Sequence, residues 1–298
     1  MKTIYRLFIG AAAVAMSSIA LTSCDDVAED DRYIPGEAIV AERAILLEDF
    51  TGQNCVNCPA AHEVIEQLEE QFGADKVIAV SIHCGSFGID VQRTNFNNGR
   101  VGLMTAEGNA IMESYGITQF PMGVINMAGD AVNYTFWSTK VRDALKVATD
   151  VNIELEAKYI PDPNDGNDGY FGTIEAKAHV MSNTTRNVDF QFWILEDNIV
   201  AQQRNGTVTI QDYVHNNVFR AQIFDGLKGQ PYSLTAGFEQ EITGSIATRW
   251  TNKEHWELEN LSIVAFASDA SGVLQVVKVP LFKDADADDE GEENNSEE

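Results

Sequence analysis

The sequence predicts an α/β unit followed by an all-β sandwich, and three observations carry that expectation. Residues 45–83 read as strand, helix, strand; a Cys-x-x-Cys pair stands at the first strand-to-helix turn; beyond residue 150 short strands replace helical periodicity. The 298 residues suit about two domains of roughly 100–200 residues each. Ala44 to Phe50 is an apolar run of strand length, and Gly52-Gln53-Asn54 is a turn. Cys55-Val56-Asn57-Cys58-Pro59 then opens a helix, with Ala61, Val64, Ile65, Leu68 and Phe72 on one face and Glu63, Glu66, Glu69 and Glu70 toward water. Gly73 is its stop, and Lys76 to His83 is a buried-type strand. The helical crossover makes the two strands parallel. After a polar stretch (85–104), the pattern gives a helix from Ala106 to Tyr115, a strand starting at Phe120 and an amphipathic helix from Ser138 to Thr149.

A cysteine pair at such a turn has a chemical logic. The helix N-terminus offers unpaired backbone N–H groups and positive dipole, which stabilise a thiolate and lower the first cysteine's pKa. The second cysteine, one turn inside, is placed to attack a mixed disulfide and release the product. A zinc site is the competing use of Cys-x-x-Cys, and His83-Cys84 would supply its second ligand pair. The strand–turn–helix context favours redox chemistry, and no metal site and no cofactor is assigned. Cys84 reads either as a third redox thiol or as buried packing.

Glu48-Asp49-Phe50 through Cys55-Val56-Asn57-Cys58 resembles the active-site segment of the thioredoxin family, including the acid six residues before the first cysteine. Tyr115-Gly116-Ile117-Thr118-Gln119-Phe120-Pro121 is similar to the segment that holds that family's cis-proline. The resemblance covers roughly residues 44–149. It implies a thioredoxin-like domain with Cys55 as nucleophile, Cys58 as resolving thiol and Asp49 as the buried carboxylate serving it. Phe120 and Pro121 would line the groove where substrate backbone docks, and a cis bond costs little only before proline. The sequence departs from the family where Asn54 stands in place of a Trp before Cys55, and Val56-Asn57 leaves the direction of electron flow open.

Residues 150–283 follow period two in Val151 to Ala157 and Val188 to Ile194. Leu261 to Ala267 and Val273 to Val279 also have strand composition, with a turn at 268–272. Short strands with polar turns predict an antiparallel sandwich of immunoglobulin-like type, without a cysteine to bridge it. Asp162 to Gly169 has calcium-loop composition, but Gly166 falls where an oxygen ligand should stand, so a hairpin loop is expected. His215 and Arg220 could form a functional pair; a packed connection between strands is the plainer reading.

The chain ends place the protein. Lys2 and Arg6 precede an apolar run shorter than a membrane span, so residues 1–23 read as a signal peptide. The run closes in Leu21-Thr22-Ser23-Cys24, which resembles a bacterial lipobox and implies acylation of Cys24, an anchor in the membrane. Residues 24–43 form an acidic tether, similar to an export tag for the outer face of the outer membrane, and 284–298 an acidic tail. The formal net charge of −26 argues against nucleic-acid binding and against a basic lipid-binding patch.

The lipobox, the Gly-Gln-Asn-Cys-x-x-Cys-Pro segment and the stretch from Asp212 to Arg220 together resemble a family of outer-membrane lipoproteins named for a twenty-eight-kilodalton outer membrane protein. Two functions follow as expectations. The first is thiol–disulfide exchange on exported proteins, with a redox partner the sequence does not identify. The second is a surface binding or adhesion module whose disulfide is structural.

Overall fold

The computed structural model describes residues 41–91, 101–164, 171–249 and 256–282. Strand β1 (Ile45–Thr51) leads through α1 (Cys58–Phe72) to β2 (Val77–His83), and the strands pair in parallel from Ile45↔Val77 to Thr51↔His83. Every residue of both strands is buried, because each face is covered. Toward one face point Ile45, Leu47, Val77 and Ala79, packed on Ala61, Ile65 and Leu68 of α1 and on Trp137 and Val141 of α3 (Trp137–Leu145). Toward the other point Leu46, Phe50, Ile78, Val80 and Ile82, covered in part by Ile111 of α2 (Ala106–Ser114). Double coverage is why these strands read as apolar runs rather than alternating.

The peptide Phe120–Pro121 is cis and leads into β3 (Met122–Ile125), which pairs antiparallel with β1 and with β4 (Ala128–Asn133). Gly123 permits a close approach: a Cβ there would lie 2.4 Å from Trp137 Nε1, the nitrogen that donates to Val132 O at 3.2 Å. The four strands thus run β2-β1-β3-β4, with α1 and α3 on one face and α2 on the other.

The rest of the described chain is β. Strands β5 (Val151–Pro161), β6 (Phe171–Ser182) and β12 (Glu239–Arg249) make one antiparallel sheet in the order β12-β6-β5. A long strand, β7 (Arg186–Glu196), carries β13 (Leu261–Asp269) on one edge. Its other edge is shared by β11 (Gln230–Leu234) and β10 (Val218–Gln222). β14 (Gly272–Pro280) pairs with β13. Val151, Ile174, Ala178 and Val180 of the three-stranded sheet pack on Phe190, Phe192, Ile194, Ile263 and Ala265 of β7 and β13. These are two antiparallel β layers, mostly apolar where they meet.

The stretches expected as two domains share one sheet. β10 continues it beside β2, with Val218 opposite Ser81, so nine strands are joined in the path β14-β13-β7-β10-β2-β1-β3-β4, with β11 beside β7. Trp193, Phe219, Val264 and Phe266 therefore lie in the same buried cluster as Leu46, Phe50 and Val80. The path also bends back: Val273 N donates to Asn126 O at 2.7 Å and Ala44 N to Gln275 Oε1 at 3.0 Å. Strands β8 (Ile199–Asn205) and β9 (Val208–His215) form a separate hairpin that joins neither sheet. Residues 162–164 follow β5 toward β6 as a hairpin connection, while 165–170 lie outside the described residues. So do the lipobox with Cys24, the tether up to residue 40 and the tail 284–298.

Candidate functional site

The cysteines meet where the segment after β1 turns into α1. Asn57 caps the helix with backbone alone, Pro59 fills its first turn where no N–H is needed, and no acid stands there to compete for the dipole. Cys55 and Cys58 are joined as a disulfide, with Cα atoms 5.5 Å apart. The tight path depends on Gly52, where a Cβ would lie 2.6 Å from the Phe87 carbonyl carbon.

Both cysteines are covered: Cys55 is 3% exposed and Cys58 wholly buried. The β8–β9 hairpin contributes to the cover. Gln203 Nε2 donates to the Cys55 carbonyl at 3.0 Å and to the Gly52 carbonyl at 3.3 Å. Arg204 N donates to Gln53 O at 2.8 Å, and Gly206 N to Val56 O at 3.1 Å. Gln53 in turn donates to Val101 O and accepts from Leu103 N. The carbonyls of Gly52, Gln53, Cys55 and Val56 thus each accept from the hairpin.

Adjacent residues of β1 send their carboxyls to opposite faces. Glu48 faces the cluster of Leu46 and Phe50, fully buried, with Tyr115 Oη donating to Oε2 at 3.0 Å and no partner at Oε1. Burial pushes its pKa to about 8, against the bond from Tyr115. Asp49 faces α1, also fully buried. Burial raises its pKa, while the His62 hydrogen bond and charge and the Ser81 hydroxyl pull the other way. His62 Nε2 lies 3.5 Å from Asp49 Oδ2 and 3.1 Å from Thr51 Oγ1, and its Nδ1 is 2.8 Å from the Tyr213 hydroxyl.

Behind His62 lies a cavity of about 60 Å³ lined by Ser81, His83, Tyr213 and His215. His83 and His215 stack edge to face, ring centroids 5.1 Å apart, and no ring nitrogen of either has a hydrogen-bond partner. Burial first, then the neighbouring imidazoles, holds His83 well below its ordinary pKa. His215 is lowered to about 3 by burial and by His62. The carbonyls of Gln202 and Ala201 partly offset this, although neither bonds the ring with ordinary geometry. Among the described residues no cluster of His, Cys, Asp or Glu is arranged to hold a metal ion. A larger open groove, about 860 Å³ beside Phe224 and Gly244, lies elsewhere; Lys158 and Lys177 at its rim are paired with Glu175 and Glu156. With no unpaired ionisable group converging on it, the groove offers less chemistry than the cysteine turn.

The structure places Asp49 within β1 and the Cys55–Cys58 pair at the start of α1, and sets the cis Phe120–Pro121 peptide before β3, β1's other neighbour. Cys84 is a buried free thiol whose Sγ lies 3.9 Å from Thr51 O, its pKa raised by burial and by Asp49. His215 and Arg220 part company: His215 enters the cavity, and Arg220 pairs with Glu196 at 3.2 Å and lies over the Trp256 ring. His62, Tyr213, Gln203 and Glu48 have no role legible in the sequence. Only His62 carried a signal, standing four residues after Cys58 and so on its helical face.

Residues 108–284, more than half of the chain, match the family described as outer membrane protein Omp28. The chain belongs to the Omp28 family. This protein is accordingly an outer-membrane protein. The match begins after the cysteine pair, so neither the lipobox nor Cys55–Cys58 contributes to it, a narrower span than the sequence resemblance implied. Among solved structures, HBP35 of Porphyromonas gingivalis is similar in fold, at 15% identity and TM-score 0.58, over 80% of this chain and 76% of that one. A domain of the outer membrane lipoprotein Omp28 from the same organism matches at 22% identity over 45% of this chain and 88% of that one, with TM-score 0.30. No curated protein sequence matches the chain.

Proposed function

We propose that this Omp28-family protein is a lipid-anchored thiol–disulfide exchange protein acting on exported proteins, with Cys24 acylated, Cys55 attacking and Cys58 resolving. The observation that carries the reading is the disulfide at the start of α1 beside a strand that buries Asp49 under the same helix. A disulfide that only staples a loop needs no buried carboxyl, whose desolvation destabilises the fold. An acid held there is suited to accept and return the proton of a resolving thiol. The strand order β2-β1-β3-β4, the helices on its two faces and the cis Phe120–Pro121 peptide support a thioredoxin-like α/β half. Two packed antiparallel layers support an immunoglobulin-like second half. Phe120 and Pro121 would line the substrate groove, and the protons and electrons would come from an exported dithiol or redox protein.

The cover over the cysteines favours a second reading, a binding lipoprotein whose disulfide is structural. One assay separates them: reduction of a protein disulfide by dithiothreitol, followed by turbidity with and without the protein. The exchange reading expects acceleration that is lost in Cys55→Ser and in Cys58→Ser. A rate no faster than dithiothreitol alone would leave the binding lipoprotein.

A further inference from the structure

His62 has more polar and ionisable neighbours than a thiol pair alone explains. From β1 it meets Asp49 and Thr51; from β9, Tyr213 and His215; from β2, His83 and Ser81 share the cavity it lines; on its own helix Glu66 is one turn on. Asp49 has no exposure, whereas the His62 side chain keeps 14%. The Tyr213 hydroxyl at Nδ1 and the carboxyl near Nε2 lie on opposite sides of the imidazole. An imidazole with an acid at one nitrogen and a hydroxyl at the other passes a proton by taking it on one side and releasing one from the other.

We infer that His62 is a positioning residue that carries the proton between water and the Asp49 carboxyl whenever the Cys55–Cys58 pair opens or closes. The inference rests on the exchange reading above. When the reduced protein meets a disulfide RS–SR, the Cys55 thiolate bonds to one sulfur and expels RS⁻. Cys58 gives its proton to Asp49, and its thiolate attacks Cys55 Sγ, re-forming the protein disulfide and expelling the second RS⁻. Two electrons pass from the protein dithiol to RS–SR. The proton on Asp49 leaves through His62 Nε2, while Nδ1 gives one up toward Tyr213 and water. A dithiol donor drives the same steps backwards, and the proton returns by the same imidazole.

Mixing the reduced full chain with 5,5′-dithiobis(2-nitrobenzoate) in a stopped-flow instrument tests this. The first coloured thiolate reports attack by Cys55 and the second reports resolution by Cys58; Cys58→Ser identifies the first. In His62→Ala the ratio of second to first rate is expected to fall roughly 100-fold, and added imidazole to restore it. His62→Gln, which keeps hydrogen-bonding capacity but conducts no proton, should behave like the alanine variant. A His62→Gln ratio equal to that of the unaltered protein, or no response to imidazole, would mean that His62 only props its neighbours and would overturn the inference. If His62→Ala does not fold, Tyr213→Phe carries the test, with a smaller fall expected and an unchanged ratio contradicting the route. Absence of the first release would sink the exchange reading itself, and the inference with it.

Discussion

Between the three-stranded sheet and strands β7 and β13, the buried side chains are nearly all aliphatic or aromatic, among them Ile174, Val180, Phe190, Phe192 and Ile263. Around β1 and the end of β2, Glu48, Asp49, His83 and Cys84 are buried, and His215 of β9 packs on His83. The first region follows what burial rewards. The second carries groups whose desolvation opposes folding, all five with pKa values displaced toward their neutral forms. Such clustering singles the region out as a candidate functional site.

The largest effect should come from the apolar region. Phe192→Ala removes a fully buried ring that stacks on Phe190 and Phe224, and should cost about 3–5 kcal/mol in urea unfolding. It should leave the cysteine chemistry of the folded fraction unchanged.

Next come the pH limbs of the polar region, which have opposite signs. Glu48 binds its proton more tightly folded, near pH 8 against 4.5 unfolded, so its contribution to stability falls as pH rises through that window and is flat above it. Glu48→Gln should remove a slope approaching about 1.4 kcal/mol per pH unit there, and raise stability at pH 8. His215 is lowered from 6.5 to about 3, so its contribution is intact above 6.5 and lost as pH falls between the two. His215→Gln should flatten that acid limb. Thermal unfolding across pH 3 to 9 checks both, and an Glu48→Gln profile parallel to the unaltered one would remove the buried acid from the account.

The smallest effect concerns the cover. Gln203→Ala removes the bonds to Gly52 and Cys55 at roughly 1–2 kcal/mol of stability, and should speed reduction of the disulfide by dithiothreitol. An unchanged reduction rate would show that the hairpin does not guard the cysteines.

What the sequence disclosed divides along the same line. The β1–α1–β2 unit and the cysteine turn were legible because run length, helical spacing and Gly73 are local signals. Asp49 was reachable only through resemblance, since its burial depends on α1 closing over β1. The hairpin over the cysteines was invisible, because Gln203 meets Gly52 and Cys55 across about 150 residues and neither side shows a pattern. Nor did composition foretell that β10 would join β2 and merge two expected domains into one sheet, a junction resting on a single register pair, Val218↔Ser81.

The most direct test of the central claim is the pH dependence of Cys55 alkylation in the reduced protein, followed by peptide mass spectrometry. Under thiol–disulfide exchange, Cys55 should alkylate as a thiolate titrating well below the free-cysteine value of about 8.5, held by the α1 N-terminus. Titration at or above that value, or a Cys55 that resists alkylation at every pH, would contradict it.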